Sequence, residues 1–308
     1  MNQIWTPPKN LKISDWADEY RKLSPEASAE AGSWKSSRAP YQIEIMNAFN
    51  DPETQRIVFM KSSQVGATEI LLNVIGYYID QDPAPVLVMQ PTLAMGQAFS
   101  KDRLATMIRD SEKIRDSVKD PRSRDSGNTI RILLADEVDR YEASAGAEGD
   151  PISLATKRTT TFWNKKIYLC STPTIKGLSR IEAAFEESDK RYYNVPCPEC
   201  NHKQILLWKN VIWDENKPET ASYACEDCGS VINEGKKQWM LKHGEWKATS
   251  PKNNTAGFHI SELYSPWSTW ADMAISFLEA KKNPEMLKTW INTSLGESWE
   301  EQGETIQY

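Results

Sequence analysis

Residues 57–79 read IVFMKSSQVGATEILLNVIGYYI, and this stretch decides the fold. It begins with the short apolar run Ile57–Met60 and continues through a small, polar loop at Lys61–Gly66. It ends in Thr68–Ile79, where apolar residues recur at helical spacing. The stretch therefore predicts a strand, a tight loop and a helix in that order.

Three further apolar runs follow, at Val86–Met89, Ile130–Ala135 and Lys166–Cys170, and each ends on polar residues. A helix is predicted between the first two runs, at Leu93–Ile108. Strands that alternate with helices predict an α/β fold with a mainly parallel sheet and helices on both faces. Because such sheets bind ligands at the carboxyl ends of their strands, the residues just after each strand are the candidates for a site.

The composition excludes several classes of protein. With 39% hydrophobic and 26% charged residues, the 308-residue chain has enough apolar side chains for a core, which excludes a disordered or collagen-like protein. The net charge of −6 argues against a protein that coats nucleic acid over its whole surface, but it permits a motor with a local basic track. No run approaches the roughly 18 apolar residues that cross a bilayer, and Met1–Lys22 lacks the apolar middle of a signal peptide. We therefore expect a cytoplasmic protein without a membrane partner.

The loop Lys61–Thr68 is a degenerate match to the phosphate-binding pattern G-x-x-x-x-G-K-[ST]. Lys61 stands in place of the first glycine and Ala67 in place of the usual lysine, while Gly66 and Thr68 are retained. A phosphate loop needs backbone N–H groups at a helix start, a cation near the transferred phosphate and a hydroxyl for Mg²⁺. Lys61 could supply the cation and Thr68 the hydroxyl. Alone, the match is also compatible with an ordinary polar turn between a strand and a helix.

Two carboxylates, Asp136 and Glu137, directly follow the apolar strand that begins at Ile130. In a phosphate-loop enzyme the first would hold magnesium and the second would polarise the water that attacks the γ-phosphate. The alternative is that Asp136 caps the next helix. The fourth strand ends in the hydroxyl-rich loop Ser171–Thr174, which could sense the γ-phosphate or form a plain turn.

Four of the five cysteines form the pairs Cys197/Cys200 and Cys225/Cys228, with 24 residues between the pairs. Two CxxC knuckles at this spacing predict a structural Zn²⁺ site, because four thiolates fill a tetrahedral shell and leave no open position for catalysis. A redox CxxC or a coincidence is the alternative. The fifth cysteine, Cys170, ends an apolar strand and is predicted to be a small buried residue.

The segments Lys61–Thr68, Leu133–Arg140 and Cys170–Thr174 together resemble the ATPase half of the large terminase subunits of tailed bacteriophages. The cysteine pairs narrow the resemblance to the lambda-type group, in which the phosphate-loop lysine lies at the start of the loop, as Lys61 does. The resemblance implies a P-loop NTPase core of the ASCE type, with an inserted zinc ribbon and a small helical lid or linker. It implies ATP, Mg²⁺ and structural Zn²⁺ as cofactors.

The resemblance also assigns catalytic roles to single residues. Lys61 would be the phosphate lysine and Glu137 the catalytic carboxylate. Thr68 and Asp136 would be the magnesium ligands.

An arginine from a neighbouring subunit commonly stabilises the transferred phosphate in ring motors, and we expect Arg158 in this role, with Arg140 as the second choice. The segment Ser171–Pro173 would be the coupling motif. The residues expected to contact the nucleotide are the loop residues Ser62, Ser63, Gln64, Val65, Gly66 and Ala67, the adenine segment Tyr41 and Gln42, and Ser171 and Thr172.

The activity that the resemblance implies is ATP hydrolysis that pumps double-stranded viral DNA into a preformed procapsid. The expected partners are double-stranded DNA, the capsid portal, the small terminase subunit and further copies of the chain in a ring, all in the cytoplasm of the host cell. A helicase-like DNA translocase of another pathway is the alternative enzyme, because a phosphate loop with an Asp-Glu pair is widespread. A zinc-ribbon nucleic-acid adaptor that has lost ATP is the alternative without catalysis.

Short strands, turns and the paired cysteines replace the alternating strands and helices from Arg191 to about Lys252. This change predicts three segments: a P-loop ATPase core with an N-terminal arm at 1–190, a zinc-ribbon insertion at 191–252, and a lid or linker at 253–308. Only Asp120–Thr129 separates the helical stretch from the acidic strand, where the family would have a further hairpin and loop. Either this element is deleted or residues are missing from the sequence there. Because no carboxylate cluster after Trp299 could hold two catalytic metals, we expect no nuclease domain and no DNA cutting.

Overall fold

A computed structural model describes residues 10–26, 28, 30–115, 117–118 and 129–301. The predicted N-terminal arm before residue 10 and most of the segment 120–129 lie outside these residues. The strands are β1 (Lys22–Leu23), β2 (Gly32–Ser33), β3 (Arg56–Lys61), β4 (Val86–Met89), β5 (Ile132–Asp136), β6 (Lys166–Ser171), β7 (Arg191–Pro196), β8 (Lys203–Ile205), β9 (Val211–Asp214), β10 (Lys217–Ala224), β11 (Val231–Ile232), β12 (Glu245–Ala248) and β13 (Thr255–Ile260).

The α-helices vary in length, and none of those described is both long and apolar enough to cross a membrane. They are α1 (Ile13–Tyr20), α2 (Tyr41–Asn47), α3 (Ala67–Asp80), α4 (Leu93–Ala98), α5 (Ala105–Asp110), α6 (Glu112–Arg115), α7 (Pro151–Lys157), α8 (Arg180–Glu186), α9 (Lys237–Lys242), α10 (Trp270–Ala280) and α11 (Pro284–Trp290). The predicted helix Leu93–Ile108 corresponds to α4, the π-helical segment Phe99–Leu104 and α5 in succession.

An eight-stranded sheet forms the centre of the fold, and seven of its strands follow the order β12-β7-β13-β3-β6-β5-β4. The strands from β7 to β4 along this order run parallel, while β12 and the additional strand β8 pair antiparallel with β7. The predicted α/β fold with a mainly parallel sheet is confirmed. Because β6 lies between β3 and β5, the phosphate loop and the acidic pair leave the same edge of the sheet two strands apart.

Helices cover both faces of this sheet, which explains why β3 is apolar without alternation. Ile57 and Phe59 belong to the core cluster that includes α1, α2 and α3, whereas Val58 and Met60 belong to the cluster that includes α7 and α8. Successive side chains of a strand point to opposite faces, so a strand that is buried on both needs apolar residues throughout.

The sequence does not predict β13, although this strand lies at the centre of the sheet. It pairs in parallel with β3, from Arg56 opposite Thr255 to Lys61 opposite Ile260. Its sequence, TAGFHI, contains a glycine and a histidine and so lacks the continuous apolar run of its neighbours. Gly257 is required there, because a Cβ at this position would lie 1.8 Å from Oγ of Ser188.

The sheet also crosses both predicted segment boundaries. β7 and β12 belong to the predicted zinc-ribbon segment and β13 to the predicted lid, yet all three are strands of the central sheet. Outside it, β9, β10 and β11 form a separate three-stranded sheet. The boundaries at residues 190 and 252 therefore do not separate independent sheets, and as a division into domains they stay a prediction.

We expect Gly257→Ala to lower the free energy of unfolding by about 1–3 kcal/mol, because a methyl group there overfills a packed position. Urea titration followed by circular dichroism measures this change. Gly96→Ala in α4 is the matched control, since a Cβ there meets only Cβ of Gln90, at 3.9 Å. Alanine favours a helix, so the control should keep or raise stability, by up to about 1 kcal/mol. Equal stability of Gly257→Ala and the unaltered protein would contradict the packing around β13.

Candidate active site and metal centre

Lys61 and Glu137 form a buried ion pair across the strand that separates them. Lys61 ends β3 and Glu137 follows β5, two strand spacings or about 9.6 Å away. Nζ of Lys61 donates a hydrogen bond of 2.9 Å to Oε1 of Glu137, and only 7% and 16% of the two side chains are exposed. Burial alone would lower the pKa of Lys61, but the acidic groups of Cys170, Glu137 and Asp136 outweigh it and raise this pKa. The lysine therefore stays charged.

Glu137 has a backbone conformation that residues other than glycine rarely adopt, with φ of 51°. Such conformations concentrate at functional sites, where the surrounding structure holds them. Its second carboxylate oxygen, Oε2, is buried and accepts no hydrogen bond from the described residues. Nε of Arg140 lies 3.6 Å from it, beyond hydrogen-bond distance. A buried acceptor of this kind fits a carboxylate that takes a proton from a bound water.

Asp136, the last residue of β5, is oriented by a side chain from the neighbouring strand. Nε2 of Gln90, which follows β4, donates to Oδ2 of Asp136 at 3.1 Å. Burial raises the pKa of the Asp136 carboxyl group, and a bound divalent cation would favour its charged form. Sequence reasoning misses Gln90, although the rule that polar residues at the carboxyl ends of strands form the site also selects it.

The loop between β3 and α3 presents a row of unbonded N–H groups. From residue 64 to residue 68, no backbone N–H has an acceptor within the described part of the chain. Gln64 and Gly66 have left-handed φ angles of 58° and 76°, and turns of this kind direct successive N–H groups into an anion-binding concavity. The amino end of α3 adds its partial positive charge. The loop therefore has the geometry of an anion cradle, and phosphate binding by it stays a prediction.

The carbonyl groups of this loop are held from outside. The Val65 carbonyl accepts from the Tyr41 hydroxyl at 3.2 Å and from Nε2 of Gln42 at 2.8 Å, and Oγ of Ser265 donates to the Gln64 carbonyl at 3.1 Å. Tyr41 and Gln42 are fully buried, so their side chains brace the loop instead of facing solvent. Adenine recognition by this pair stays a prediction that their burial does not support.

The start of the loop is held by the C-terminal part of the chain. The N–H groups of Ser62 and Ser63 donate to the carbonyls of Ile260 and Thr293 at 2.9 and 2.7 Å. Gly296 packs so closely that a Cβ there would lie 2.7 Å from the backbone nitrogen of Ser62. Ser62 and Ser63 are among the residues predicted to contact the nucleotide, but their backbone N–H groups are already hydrogen-bonded and cannot bind a phosphate.

The hydroxyl-rich loop after β6 contacts the segment that follows the acidic pair. Oγ of Ser171 donates to the Thr172 carbonyl at 2.8 Å and accepts from the N–H of Asp139 at 3.3 Å. Oγ1 of Thr174 donates to Oδ2 of Asp139 at 2.9 Å. Arg180 donates to three carbonyls within residues 138–142. Sequence reasoning singles out Ser171 and Thr172 and misses Asp139, which connects Ser171 and Thr174 to the segment after the acidic pair.

The structure does not bring Arg158 to the cradle of its own chain. This exposed residue follows α7, and its carbonyl accepts from the N–H of Ile130, just before the amino end of β5. Asp136 lies at the other end of that strand. Arg140 is near the site, at 3.6 Å from Glu137. These positions within one chain do not test a role at the site of a neighbouring subunit. The arginine supplied by a neighbouring subunit therefore stays a prediction.

The four paired cysteines converge as a metal centre requires. Their sulfur atoms all lie within 4.8 Å of one another, with Cys197 and Cys228 at 3.9 Å and Cys200 and Cys225 at 3.8 Å. These distances exceed a disulfide bond of about 2.05 Å. They match the roughly 3.8 Å edge of a tetrahedron with Zn–S bonds of about 2.3 Å. The donor set therefore fits Zn²⁺.

The two knuckles repeat one backbone pattern. Asn201 and Gly229 each follow a second cysteine, have φ of 62° and 71°, and donate their N–H to the carbonyls of Cys197 and Cys225. Asn and Gly are the residues that most readily adopt such left-handed angles. Hydrogen bonding with Ser230 lowers the pKa of the Cys228 thiol, whereas burial and the neighbouring thiols raise the pKa of Cys197 and of Cys200. A bound metal would favour the thiolate form of all four.

An aromatic seam joins the cysteine module, which runs from Cys197 to Cys228, to the C-terminal helices α10 and α11. The Trp208 ring lies 4.8 Å from that of Trp290 and 5.2 Å from that of Phe277, and the Tyr223 ring lies 5.6 Å from that of Trp270. Aromatic pairs at these distances add to packing beyond the burial of their area. Through these ring contacts, the segment that carries the four cysteines packs against α10 and α11 and stabilises their position.

Comparison with known proteins assigns the chain to a family. The model of the phage terminase large subunit gpA, ATPase domain, matches residues 28–131 and 126–246. This chain belongs to that family. The resemblance to large terminase subunits that the sequence motifs indicate is confirmed.

Two curated relatives carry the same name. The terminase large subunit of Enterobacteria phage P21 is 31% identical over 96% of this chain and 53% of its own length. That of Escherichia phage lambda is 26% identical over 95% of this chain and 53% of its own length. The chain therefore spans about half the length of the curated relatives it matches. The crystal structure of the HK97 bacteriophage large terminase superposes on 93% of this chain and 55% of its own, with 11% identity and a TM-score of 0.57, which shows a common fold.

The predicted gap before the acidic strand agrees with these alignments. The match to the P21 subunit extends over 347 residues, more than the 308 of this chain, so the relative has insertions within the matched region. The family model matches in two parts that meet at residues 126–131. The break falls at the place where the sequence predicts a missing hairpin and loop.

The expectation that the chain lacks a nuclease domain is corrected by the same comparison. Residues 255–308 match the model of the gpA endonuclease domain. The described part of this segment supplies α10, α11 and β13, and β13 lies in the central sheet beside β3. The expectation is based on the lack of a cluster of metal-binding carboxylates after Trp299. A family model can match a segment that lacks such a cluster.

We expect Cys225→Ser to abolish the binding of one Zn²⁺ per chain and to unfold the cysteine module, because structural zinc contributes on the order of 10 kcal/mol to such units. Metal content is measured by elemental analysis, and loss of the aromatic seam by tryptophan fluorescence. Chelation of the unaltered protein should give the same spectrum. Cys170→Ala is the matched control and should keep its zinc, since Cys170 lies in the core outside the cluster. An intact fluorescence spectrum after complete chelation would refute a structural role of the metal.

Proposed function

We propose that this chain hydrolyses ATP and, within a complete terminase, uses the reaction to move double-stranded viral DNA into a preformed capsid. One observation carries the proposal: the 2.9 Å contact between Lys61 and Glu137 lies beside the unbonded N–H groups of residues 64–68. A cation, a buried carboxylate and an anion cradle therefore meet at one edge of the sheet. Phosphoryl transfer needs these three groups together.

In the proposed reaction the phosphate chain of ATP lies in the loop and accepts from its N–H groups. Lys61 turns from Glu137 to the β- and γ-phosphate oxygens, which leaves Glu137 free to act as a base. Glu137 then accepts a proton from water while the water oxygen attacks the γ-phosphorus. The bond from this phosphorus to the β,γ-bridging oxygen breaks, and ADP and phosphate are the products. Until ATP arrives, the ion pair keeps Glu137 neutralised.

Thr68 and Asp136 are the residues that would hold Mg²⁺ at this edge. Hydroxyl and carboxylate oxygens suit this hard cation, and the buried Asp136 carboxylate accepts one hydrogen bond, from Gln90, among the described residues. When bound, Mg²⁺ neutralises charge on the phosphates. Gln90 orients the carboxylate for that ligand position.

The contacts of Asp139 offer a route from the nucleotide to the rest of the core. This residue follows the acidic pair by two positions, accepts from Thr174, and its Oδ1 accepts from the N–H of Ile181 at the start of α8. The Arg180 guanidinium donates hydrogen bonds to the carbonyls of Val138 and Tyr141 in the same segment. A shift of Glu137 on loss of the γ-phosphate would therefore move both the hydroxyl-rich loop and α8. We propose that this path couples hydrolysis to DNA movement.

The proposed partners are those of a packaging motor. They are double-stranded DNA, the capsid portal, the small terminase subunit and further copies of the chain in a ring, in the cytoplasm of the host cell. The matched relatives from phages P21 and lambda are terminase large subunits, which supports this setting. Arg158 lies near the amino end of β5, opposite the strand ends that carry the cradle of its own chain, so its proposed role is at the site of a neighbouring subunit.

We expect Glu137→Gln to lower ATP turnover about 10²- to 10⁴-fold while nucleotide binding is retained, because the amide cannot accept the proton from water. Phosphate release is measured with and without DNA and capsid portals. Glu142→Gln is the matched control: it makes the same chemical change at an exposed position five residues away and should leave turnover unaltered.

Three outcomes would contradict the proposal. Unchanged turnover in Glu137→Gln would remove the catalytic assignment. Unwinding of DNA strands by the isolated protein would favour a helicase-like translocase. Failure of the assembled protein to bind ATP would favour a zinc-ribbon adaptor without catalysis.

A further inference from the structure

Trp267 places an exposed indole ring against the phosphate loop. This side chain is 45% exposed, although tryptophan is highly buried on average. A Cβ built on Gly66 would lie 3.3 Å from Cη2 of Trp267. The edge of the ring therefore reaches the last residue of the cradle, just before the amino end of α3.

The segment that carries the ring is fixed at both ends. Oγ of the fully buried Ser265 donates to the Gln64 carbonyl at 3.1 Å and accepts from the N–H of Trp267 at 3.3 Å. On the other side, Nζ of the buried Lys237 donates to the Ser268 carbonyl at 2.6 Å. One serine hydroxyl thus joins the loop to the tryptophan directly. The backbone that carries the indole is therefore held in place without a ligand.

The location of Trp267 relative to the sheet also suits a nucleotide. It follows β13, the parallel neighbour of β3, so both segments leave the same carboxyl edge. A nucleotide whose phosphates occupy the loop has its base one sugar beyond the cradle. The base therefore needs a flat apolar surface close to the loop but outside it.

The other aromatic side chain in contact with the loop cannot provide this surface. Tyr41 is fully buried and its hydroxyl is bonded to the Val65 carbonyl. A base could stack on it only after it left the core. Trp267 needs no such rearrangement, because its ring is open to solvent.

We propose that Trp267 is the stacking platform for the nucleotide base. This inference rests on the proposed function, since it names the base subsite of the same ATP site. Base–aromatic stacking tolerates any base with a π-face. The protein should accordingly bind ATP and GTP with affinities within a few-fold of each other.

The test compares a ligand that has a base with one that has none. Calorimetry gives the dissociation constants of ADP and of inorganic tripolyphosphate, both with Mg²⁺, for the unaltered protein, Trp267→Ala and Trp267→Phe. We expect Trp267→Ala to weaken ADP binding about 5- to 150-fold, Trp267→Phe to stay within a few-fold of the unaltered protein, and tripolyphosphate binding to be unchanged in both. Trp163→Ala, which removes an indole that is 80% exposed outside the loop, is the control and should alter neither constant.

The outcomes separate the base subsite from the phosphate site. Unchanged ADP affinity in Trp267→Ala would overturn the proposal. Equal losses for ADP and tripolyphosphate would also overturn it, because they would show that Trp267 supports the shape of the loop. An unaltered protein that binds neither ligand would overturn the proposed function as well, whereas tripolyphosphate binding without the expected ADP effect would leave the phosphate site standing.

Discussion

The ion pair between Lys61 and Glu137 is the constraint on which the site depends. Two charges that are almost completely removed from water are tolerable only when each neutralises the other, and removal of one would leave an uncompensated charge in the core. The pair also fixes where β3 and β5 end relative to each other, because one lysine side chain must span the width of β6. The left-handed backbone of Glu137 and its Oε2, which has no partner among the described residues, lie at the same point.

The cradle itself is the joint product of segments that are far apart in the chain. Tyr41 and Gln42 of α2 hold its middle, while residues 260–296 hold its beginning and its outer carbonyls. Each contact uses a carbonyl or the first two N–H groups, so the remaining N–H groups stay available for an anion. The C-terminal segment packs against the cysteine module through the aromatic seam and is therefore a structural part of the proposed nucleotide site.

Much of this arrangement could be predicted from sequence, and the exceptions share a cause. The strands buried on both faces are continuous apolar runs, and the two CxxC pairs have a spacing typical of a metal site, so both features can be recognised in the local sequence. β13 contains Gly257 and His259 because of what packs beside it, and no local pattern reports that. The roles of Gln90 and Asp139 depend on hydrogen bonds to residues that are distant in the sequence. The bracing role of Tyr41 depends on burial, which only the assembled fold determines.

The position of β13 has a consequence for synthesis on the ribosome. β3 is the earliest strand of the central sheet to be translated and β13 the latest, yet the two are neighbours, with Arg56 opposite Thr255. Contacts this distant in the chain form slowly. The nascent polypeptide must emerge beyond Ile260 before β3 gains this partner, and until then the strand that bears Lys61 has an open edge exposed to misassociation.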